Sequence, residues 1–361
     1  MPRQIVLNGK FLSASPTGVH RVAAELGNAL ADLIREDHLD AQGLELRVLA
    51  PANGMSRAGS MHMATDRLAP LAGIPWEQMT LPLRKRRALL LNLCNIGPML
   101  AREAVTMIHD VQVLLSPQSY PAGFRAWYRL VQPIIARRHR HILTVSEYSR
   151  GQIVSAGLCG PDKVSVIHNG VDHVLRVAAD SSVFRRLGLG RHSFVLGLAN
   201  TQAHKNITVL MQAFAMPALA HLQLVLFGSA SRKDFIRAGV TVPENVIFAG
   251  RIDDGALRGL FEQALCLAFP STTEGFGLPP LEAMLLECPA IVVPCGALPE
   301  VCGTAALYAS PDDPRTWAEL IAKLSGSPAL RRSMTDAGAV HAARFTWRAA
   351  AITLAGTLAR I

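Results

Sequence analysis

Pro270-Ser271-Thr272-Thr273-Glu274-Gly275-Phe276-Gly277-Leu278-Pro279-Pro280-Leu281-Glu282-Ala283-Met284 is the stretch from which the rest of the chain can be read. The apolar run just before it, Cys266 to Phe269, reads as a buried strand, and a helical pattern follows it. Between the two lies a small, polar, glycine-rich turn. Pro280 suits the first helical position, where its missing N–H costs nothing. That start would put Glu282 in the first turn, on the positive end of the helix dipole. Gly275 and Gly277 let the backbone come close to a ligand. Strand, glycine loop and helix N-terminus together make an anion site best suited to phosphate. Two carboxylates, Glu274 and Glu282, sit eight positions apart across the turn.

Outward from this stretch, short apolar runs alternate with helical patterns along the whole chain. Strand-like runs in the first half are Gln4–Leu7, Glu45–Ala50, Ala88–Leu93, Val105–Ile108, His141–Val145 and Lys163–Ile167. A second series comprises Ser193–Ala199, Leu222–Phe227, Asn245–Phe248, Cys266–Phe269 and Ala290–Val293. This βα alternation belongs to parallel sheets covered on both faces. Two series in 361 residues imply two doubly wound α/β domains. The expected division is residues 1–175, a linker over 176–191 with no strong apolar period, residues 192–345, and a terminal apolar-faced helix over 346–361.

Composition narrows the function classes. Half the residues are apolar and few are charged, which excludes disorder. No uninterrupted apolar run approaches the ~20 residues of a membrane span, and Met1-Pro2-Arg3-Gln4 leads directly into a strand-like run without a signal-peptide pattern. A cytoplasmic location is expected. The six cysteines form no C-x-x-C pair and read as buried reduced thiols. Residues 1–175 carry 19 basic and 13 acidic residues, and the excess clusters at Arg84-Lys85-Arg86-Arg87 and Arg137-Arg138-His139-Arg140. The second cluster ends a helical stretch bearing Phe124, Trp127, Tyr128, Leu130 and Val131. Such a stretch fits peripheral contact with an anionic membrane or an ordinary solvated face. Nucleic acid is not an expected partner, because neither cluster is interleaved with a reader motif.

The Glu274-to-Glu282 stretch resembles the E-x7-E signature of the family GT4 retaining glycosyltransferases, whose GT-B fold sets two Rossmann-like domains facing across a cleft. The resemblance extends over nearly the whole chain. It implies that Glu274 contacts the hydroxyls of the donor sugar and Glu282 the ribose, with Gly275, Phe276, Gly277 and Leu278 forming the donor loop. Gly18, in Pro16-Thr17-Gly18-Val19, matches the glycine turn after the first strand. His109, in Thr106-Met107-Ile108-His109-Asp110, matches a histidine beside the donor sugar, and its alternative reading is a structural histidine capping a strand end. Lys205, in Ala203-His204-Lys205-Asn206, matches the lysine that meets the donor diphosphate. Arg251, after the run ending at Phe248-Ala249-Gly250, matches a segment flanking the base. Many relatives carry an arginine about six residues before the lysine, where this chain has Ala199 and Asn200. Arg21 is one candidate substitute.

The implied reaction is transfer of a hexose from a nucleotide-diphosphate sugar, with retention and without a metal. Retaining glycosidases set two carboxylates ~5 Å apart around the scissile bond, and these glutamates do not fit that arrangement. A same-face attack within an ion pair is implied instead, with Lys205 offsetting leaving-group charge. Asp253-Asp254 and Asp312-Asp313 read as helix starts rather than metal ligands. No cofactor is expected beyond the donor substrate itself. GDP-mannose is the first donor considered, with UDP-glucose and dTDP-rhamnose as alternatives, and a glycan or lipid-linked saccharide as acceptor. Two rival readings are a GT-B-fold sugar-nucleotide 2-epimerase and a non-catalytic nucleotide-sugar-binding partner of another transferase.

Overall fold

The computed structural model describes every residue except Met1 and Arg86, so Arg86 of the first basic cluster lies outside the described residues. The chain divides into two compact units, Met1–Gly170 with Thr346–Ile361, and Val171–Phe345.

The first unit holds β1 (Arg3–Asn8), β2 (Leu44–Pro51), β3 (Thr65–Leu68), β4 (Leu89–Asn92), β5 (Ala104–Met107), β6 (His141–Thr144) and β7 (Val164–Val166). They form one parallel sheet in the order β3-β2-β1-β4-β5-β6-β7. Runs such as Ile5-Val6-Leu7 are wholly buried because helices cover both faces. The helix Trp347–Arg360 packs along the helix Gly18–Arg35, where Leu26, Leu30 and Leu33 on one helix and Leu354 and Leu358 on the other are fully buried. Each such leucine stabilises the contact by about 1.5–3 kcal/mol relative to exposure. The Arg3 guanidinium fastens the end of that helix by donating to the carbonyls of Leu358 and Ile361. Gly170 lies against the start of the same helix, and a Cβ there would collide with the Trp347 backbone nitrogen.

The second unit holds β8 (Phe194–Ala199), β9 (Gln223–Gly228), β10 (Val246–Gly250), β11 (Cys266–Phe269), β12 (Ala290–Val292) and β13 (Leu307–Tyr308). Their parallel order is β10-β9-β8-β11-β12-β13. Both sheets reverse direction of winding beside their first strand, between β1 and β4 in one and β8 and β11 in the other. In open α/β sheets such switch points, at the carboxyl ends of the strands, are where ligands bind.

The segment expected as a linker, residues 176–191, is part of the second unit. It carries the helix Ser182–Leu187 and is fastened to the helix Asp254–Gln263. Arg258 Nη1 donates to the carbonyls of Leu175 and Val177 at 3.1 and 2.8 Å, and the Asp180 amide donates to Gly255 O at 2.9 Å. These ties run through backbone carbonyls, so they leave no apolar period in the sequence.

Asp253 and Asp313 are helix N-caps, accepting from the amides of Ala256 and Arg315 at 2.8 and 2.9 Å. All six cysteines are free; Cys266, Cys288 and Cys302 are buried, and Cys94, Cys159 and Cys295 are only partly so. No helix among the described residues is long and apolar enough to cross a membrane.

Candidate active site

The loops leaving β8 and β11, the strands that flank the second switch point, carry Lys205 and Glu274. Lys205 Nζ donates to Glu274 Oε1 at 2.6 Å, with both side chains about one-seventh exposed. The two loops are tied together at one carbonyl. His204 O accepts from the Thr272 amide at 2.8 Å, from Ser271 Oγ at 3.2 Å and from Thr272 Oγ1 at 3.3 Å. Burial first, then the neighbouring Lys205 cation, lowers the pKa of His204, so Lys205 is the cation of this loop at neutral pH. Near the place where the resemblance leads to the expectation of an arginine, the Asn200 carboxamide folds back on Gln202, donating to Oε1 at 3.1 Å and accepting from the Gln202 amide at 2.8 Å. It adds no charge.

Glu274 is also held from behind, which the sequence did not reveal. The Ala297 amide donates to Glu274 O at 3.0 Å. Gly296, at φ +64, lies so close that a Cβ would meet Glu274 N at 2.7 Å and Glu274 O at 2.9 Å. Leu298, next along, covers Gly277, whose hypothetical Cβ would meet Leu298 Cδ2 at 2.6 Å. The segment after β12 therefore shapes the loop after β11.

The helix after that loop spans Leu278–Leu285, with Gly277 at φ +94 as its N-cap. Pro280 is thus the third helical residue, not the first, and Glu282 lies beyond the first turn. The left-handed Gly277 allows the helix to begin early, and a proline anywhere in the first turn lacks only an N–H that would have no partner there. Glu282 is buried, and His173 Nε2 lies 3.2 Å from its Oε1. His173 sits in the short helical turn Asp172–Arg176, just past the boundary between the units. Its partner is 109 positions away, so nothing local in the sequence marks the pair. Phe276 is buried edge-on against Phe345, with ring centroids 5.9 Å apart. Arg251 is exposed after β10, the edge strand, two strands from the switch point. The structure does not bring it to the Lys205–Glu274 pair.

In the first unit, Gly18 is the exposed first residue of the 18-residue helix Gly18–Arg35, and Arg21 lies in that helix's first turn. His109 follows β5 and is buried. Its Nε2 lies 2.8 Å from Leu93 O, its amide donates to Asn95 Oδ1 at 2.7 Å, and its carbonyl accepts from Ser149 Oγ at 2.9 Å. A carbonyl only accepts, so Nε2 carries the proton and Nδ1 has the lone pair. Burial lowers the pKa of His109 to about 4. At neutral pH it can accept a hydrogen bond through Nδ1 but carries no charge. Ser146 caps the next helix, accepting from the Ser149 amide at 3.0 Å.

Residues 192–327 match the sequence family described as glycosyl transferases group 1. The O-antigen chain mannosyltransferase RfbU of Salmonella typhimurium is 25% identical over 342 residues, covering 90% of this chain and 92% of that protein. O-antigen chain mannosyltransferase B of Escherichia coli is 28% identical over 255 residues, covering 68% and 67%. Among solved structures, Anabaena HepE in complex with UDP and glucose superposes with a TM-score of 0.71 over 99% of this chain and 100% of its own, at 18% identity. The fold is GT-B, and a chain with two such doubly wound units and these relatives is a glycosyltransferase. The group 1 match falls within the second unit, which carries the E-x7-E stretch.

Proposed function

We propose that the protein transfers a hexose, with retained configuration and without a metal, from a nucleotide-diphosphate sugar to a glycan or lipid-linked saccharide in polysaccharide biosynthesis. The observation that carries this reading is the Lys205–Glu274 pair, standing at the carboxyl ends of the two strands that flank the second switch point. Lys205 would meet the donor diphosphate and offset the charge that develops as the nucleotide leaves. Glu274, so released from its ion pair, would accept hydrogen bonds from sugar hydroxyls. Glu282, steadied by His173, would hold the ribose. Neutral His109 would accept a hydroxyl hydrogen at Nδ1. GDP-mannose is the first donor to test, because both O-antigen relatives are mannosyltransferases.

A cytoplasmic location with peripheral contact at an anionic membrane is part of the proposal. Its support is the exposure of Met79, Leu83, Phe124 and Leu130, together with that of Arg84, Arg87, Arg137 and Arg138 in the same two segments. Three residues of the two basic clusters do not contribute. Lys85 is buried and donates to Ala88 O at 2.9 Å, His139 is buried, and Arg140 pairs with Glu103 at 2.8 Å.

The test is a thermal-shift panel of GDP-mannose, UDP-glucose, UDP-N-acetylglucosamine, dTDP-rhamnose and the free nucleotides on wild type and Lys205→Ala. A ligand that binds only the native state raises its stability. One nucleotide series should shift the wild type, with a smaller shift in the variant. No shift with any of them would refute the donor site.

A further inference from the structure

The second unit has a cavity at the other end of its sheet. Lys205 and Glu274 stand on the loops that leave β8 and β11. This cavity, of about 730 Å³, lies among the residues that enter those strands. Arg191 and His192 lead into β8, Gln263 and Ala264 into β11, and Glu287 and Pro289 into β12. β8 is six residues long, so the two ends of the sheet are about 20 Å apart at ~3.3 Å per residue. The opposite wall is the helix Pro328–Ala342, with Arg331, Arg332, Thr335 and Asp336 spaced along one of its faces. The walls are fastened to one another. The His192 amide donates to Gln263 O at 2.8 Å, and Thr335 Oγ1 donates to Glu287 O at 3.3 Å. His192 and Glu287 are two of the five described non-glycine residues with left-handed backbone, at φ +56 and +59. Such backbone is costly with a side chain attached and gathers at ligand sites.

Four arginines line the cavity, and the fold satisfies one of them. Arg258 Nε donates to Glu262 Oε1 at 2.7 Å, and its Nη1 is taken up by backbone carbonyls. Among the described residues, no carboxylate lies within ion-pair distance of Arg191, Arg331 or Arg332. Arg331 Nη1 donates to Leu324 O at 3.1 Å, which leaves most of that guanidinium's five donors over. Glu287 and Asp336 also line the cavity, but both are exposed to water and neither reaches an arginine. Arg331 and Arg332 are the fourth and fifth residues of their helix, whose first turn holds no acidic side chain. A cation near the positive end of a helix dipole is unfavourable. His192 shows that the loop and the helix bring their charges together: burial first, then Arg331 and Arg191, lower its pKa.

We propose that this cavity binds a small phosphorylated molecule, at a second anion site separate from the one at Lys205. Guanidinium groups are planar forks that match phosphate oxygens, and here they come from two elements, Arg191 from the loop and Arg331 and Arg332 from the helix. A phosphate between them would meet cations that no carboxylate of the fold neutralises, and would reverse the unfavourable placing of two of them on the helix. The volume is in the range of small-molecule sites and leaves room beyond a phosphate. Leu175, Leu285 and Pro289 offer apolar surface to the rest of the ligand. Binding here does not require the donor site, because every lining residue belongs to the second unit and none belongs to the Lys205 or Glu274 loops.

Titration calorimetry with inorganic pyrophosphate, at constant ionic strength, separates the two sites. The full-length protein is used with Lys205→Ala, which removes the cation of the donor site, and then with Arg191→Gln and Arg332→Gln added. Both arginines are exposed, and surface replacements of this kind seldom disturb a fold. Lys205→Ala should still bind one pyrophosphate per chain, and the two further substitutions should weaken that binding at least tenfold, as expected for the loss of charge-assisted hydrogen bonds. Thermal shifts with nucleotides should be the same for Arg191→Gln, Arg332→Gln and the wild type. No binding to Lys205→Ala, or binding undiminished by the arginine substitutions, would overturn the proposal. Neither result would touch the transferase reading, which stands or falls on the nucleotide shifts of the wild type.

Discussion

Gly296→Ala isolates the support behind Glu274. Two costs are built into the site. The left-handed backbone, φ +64, penalises any residue with a Cβ by roughly 1–2 kcal/mol. The new methyl would also start 2.7 Å from Glu274 N and 2.9 Å from Glu274 O, where ordinary contact begins near 3.4 Å. One side must retreat by about 0.5–0.7 Å, and overpacking of this kind costs ~1–3 kcal/mol. The obstacle is backbone, not a flexible side-chain tip, and the Ala297-to-Glu274 hydrogen bond must stretch with it. A 1 Å misplacement at a reacting centre can cost 10²-fold in rate, so kcat should fall roughly 10- to 100-fold. Gly250→Ala is the control. Its φ is +71, but nothing lies within 4 Å of the added Cβ. It should lose stability through backbone strain alone and keep its turnover. The assay is radiolabelled sugar transfer alongside thermal unfolding. Equal turnover in the two variants, at equal loss of stability, would refute the idea that the segment after β12 sets the position of Glu274.

Two other outcomes follow from the buried histidines and the exposed arginines. Burial holds His109 and His139 at about 4, below the ordinary 6.5, so between those values the unfolded chain takes up protons the folded chain refuses. Stability should be full above pH 6.5 and fall toward pH 4, by on the order of 1.4 kcal/mol per histidine for each pH unit crossed; thermal unfolding across pH checks this, and His109→Gln should flatten the fall. Charge reversal at Arg84 and Arg87 should weaken binding to phosphatidylserine vesicles at least tenfold, at about 1 kcal/mol per basic residue; unchanged co-sedimentation would discard that surface.

The parts of the fold that were legible are those whose burial writes itself into the sequence. Each apolar run read as a strand lies in one of the two sheets, to within a residue or two at its ends. The strands that escaped notice are the edges. β3, Thr-Asp-Arg-Leu, has both of its central side chains exposed, and β13 is two residues long. An edge strand with a solvated face needs no apolar run, and charge there discourages pairing with another chain. At the site, Lys205 and Glu274 could each be singled out by pattern. Their contact could not, because it spans 69 positions and depends on both loops leaving neighbouring strands. His173 and Gly296 left no signal at all. One acts through a buried contact made 109 residues away, and the other matters only for the side chain it lacks.

The return of the last helix to the first unit fixes an order of assembly. Val171–Phe345 is one uninterrupted stretch, so a chain emerging from the ribosome holds everything the second unit needs before the helix Trp347–Arg360 is made. The first unit has no such freedom. The helix Gly18–Arg35, made before the second unit, keeps an apolar stripe uncovered until Trp347–Arg360, made after it, is released to lie on it. While the second unit is being made, the unit that starts before it is therefore the one that cannot yet finish.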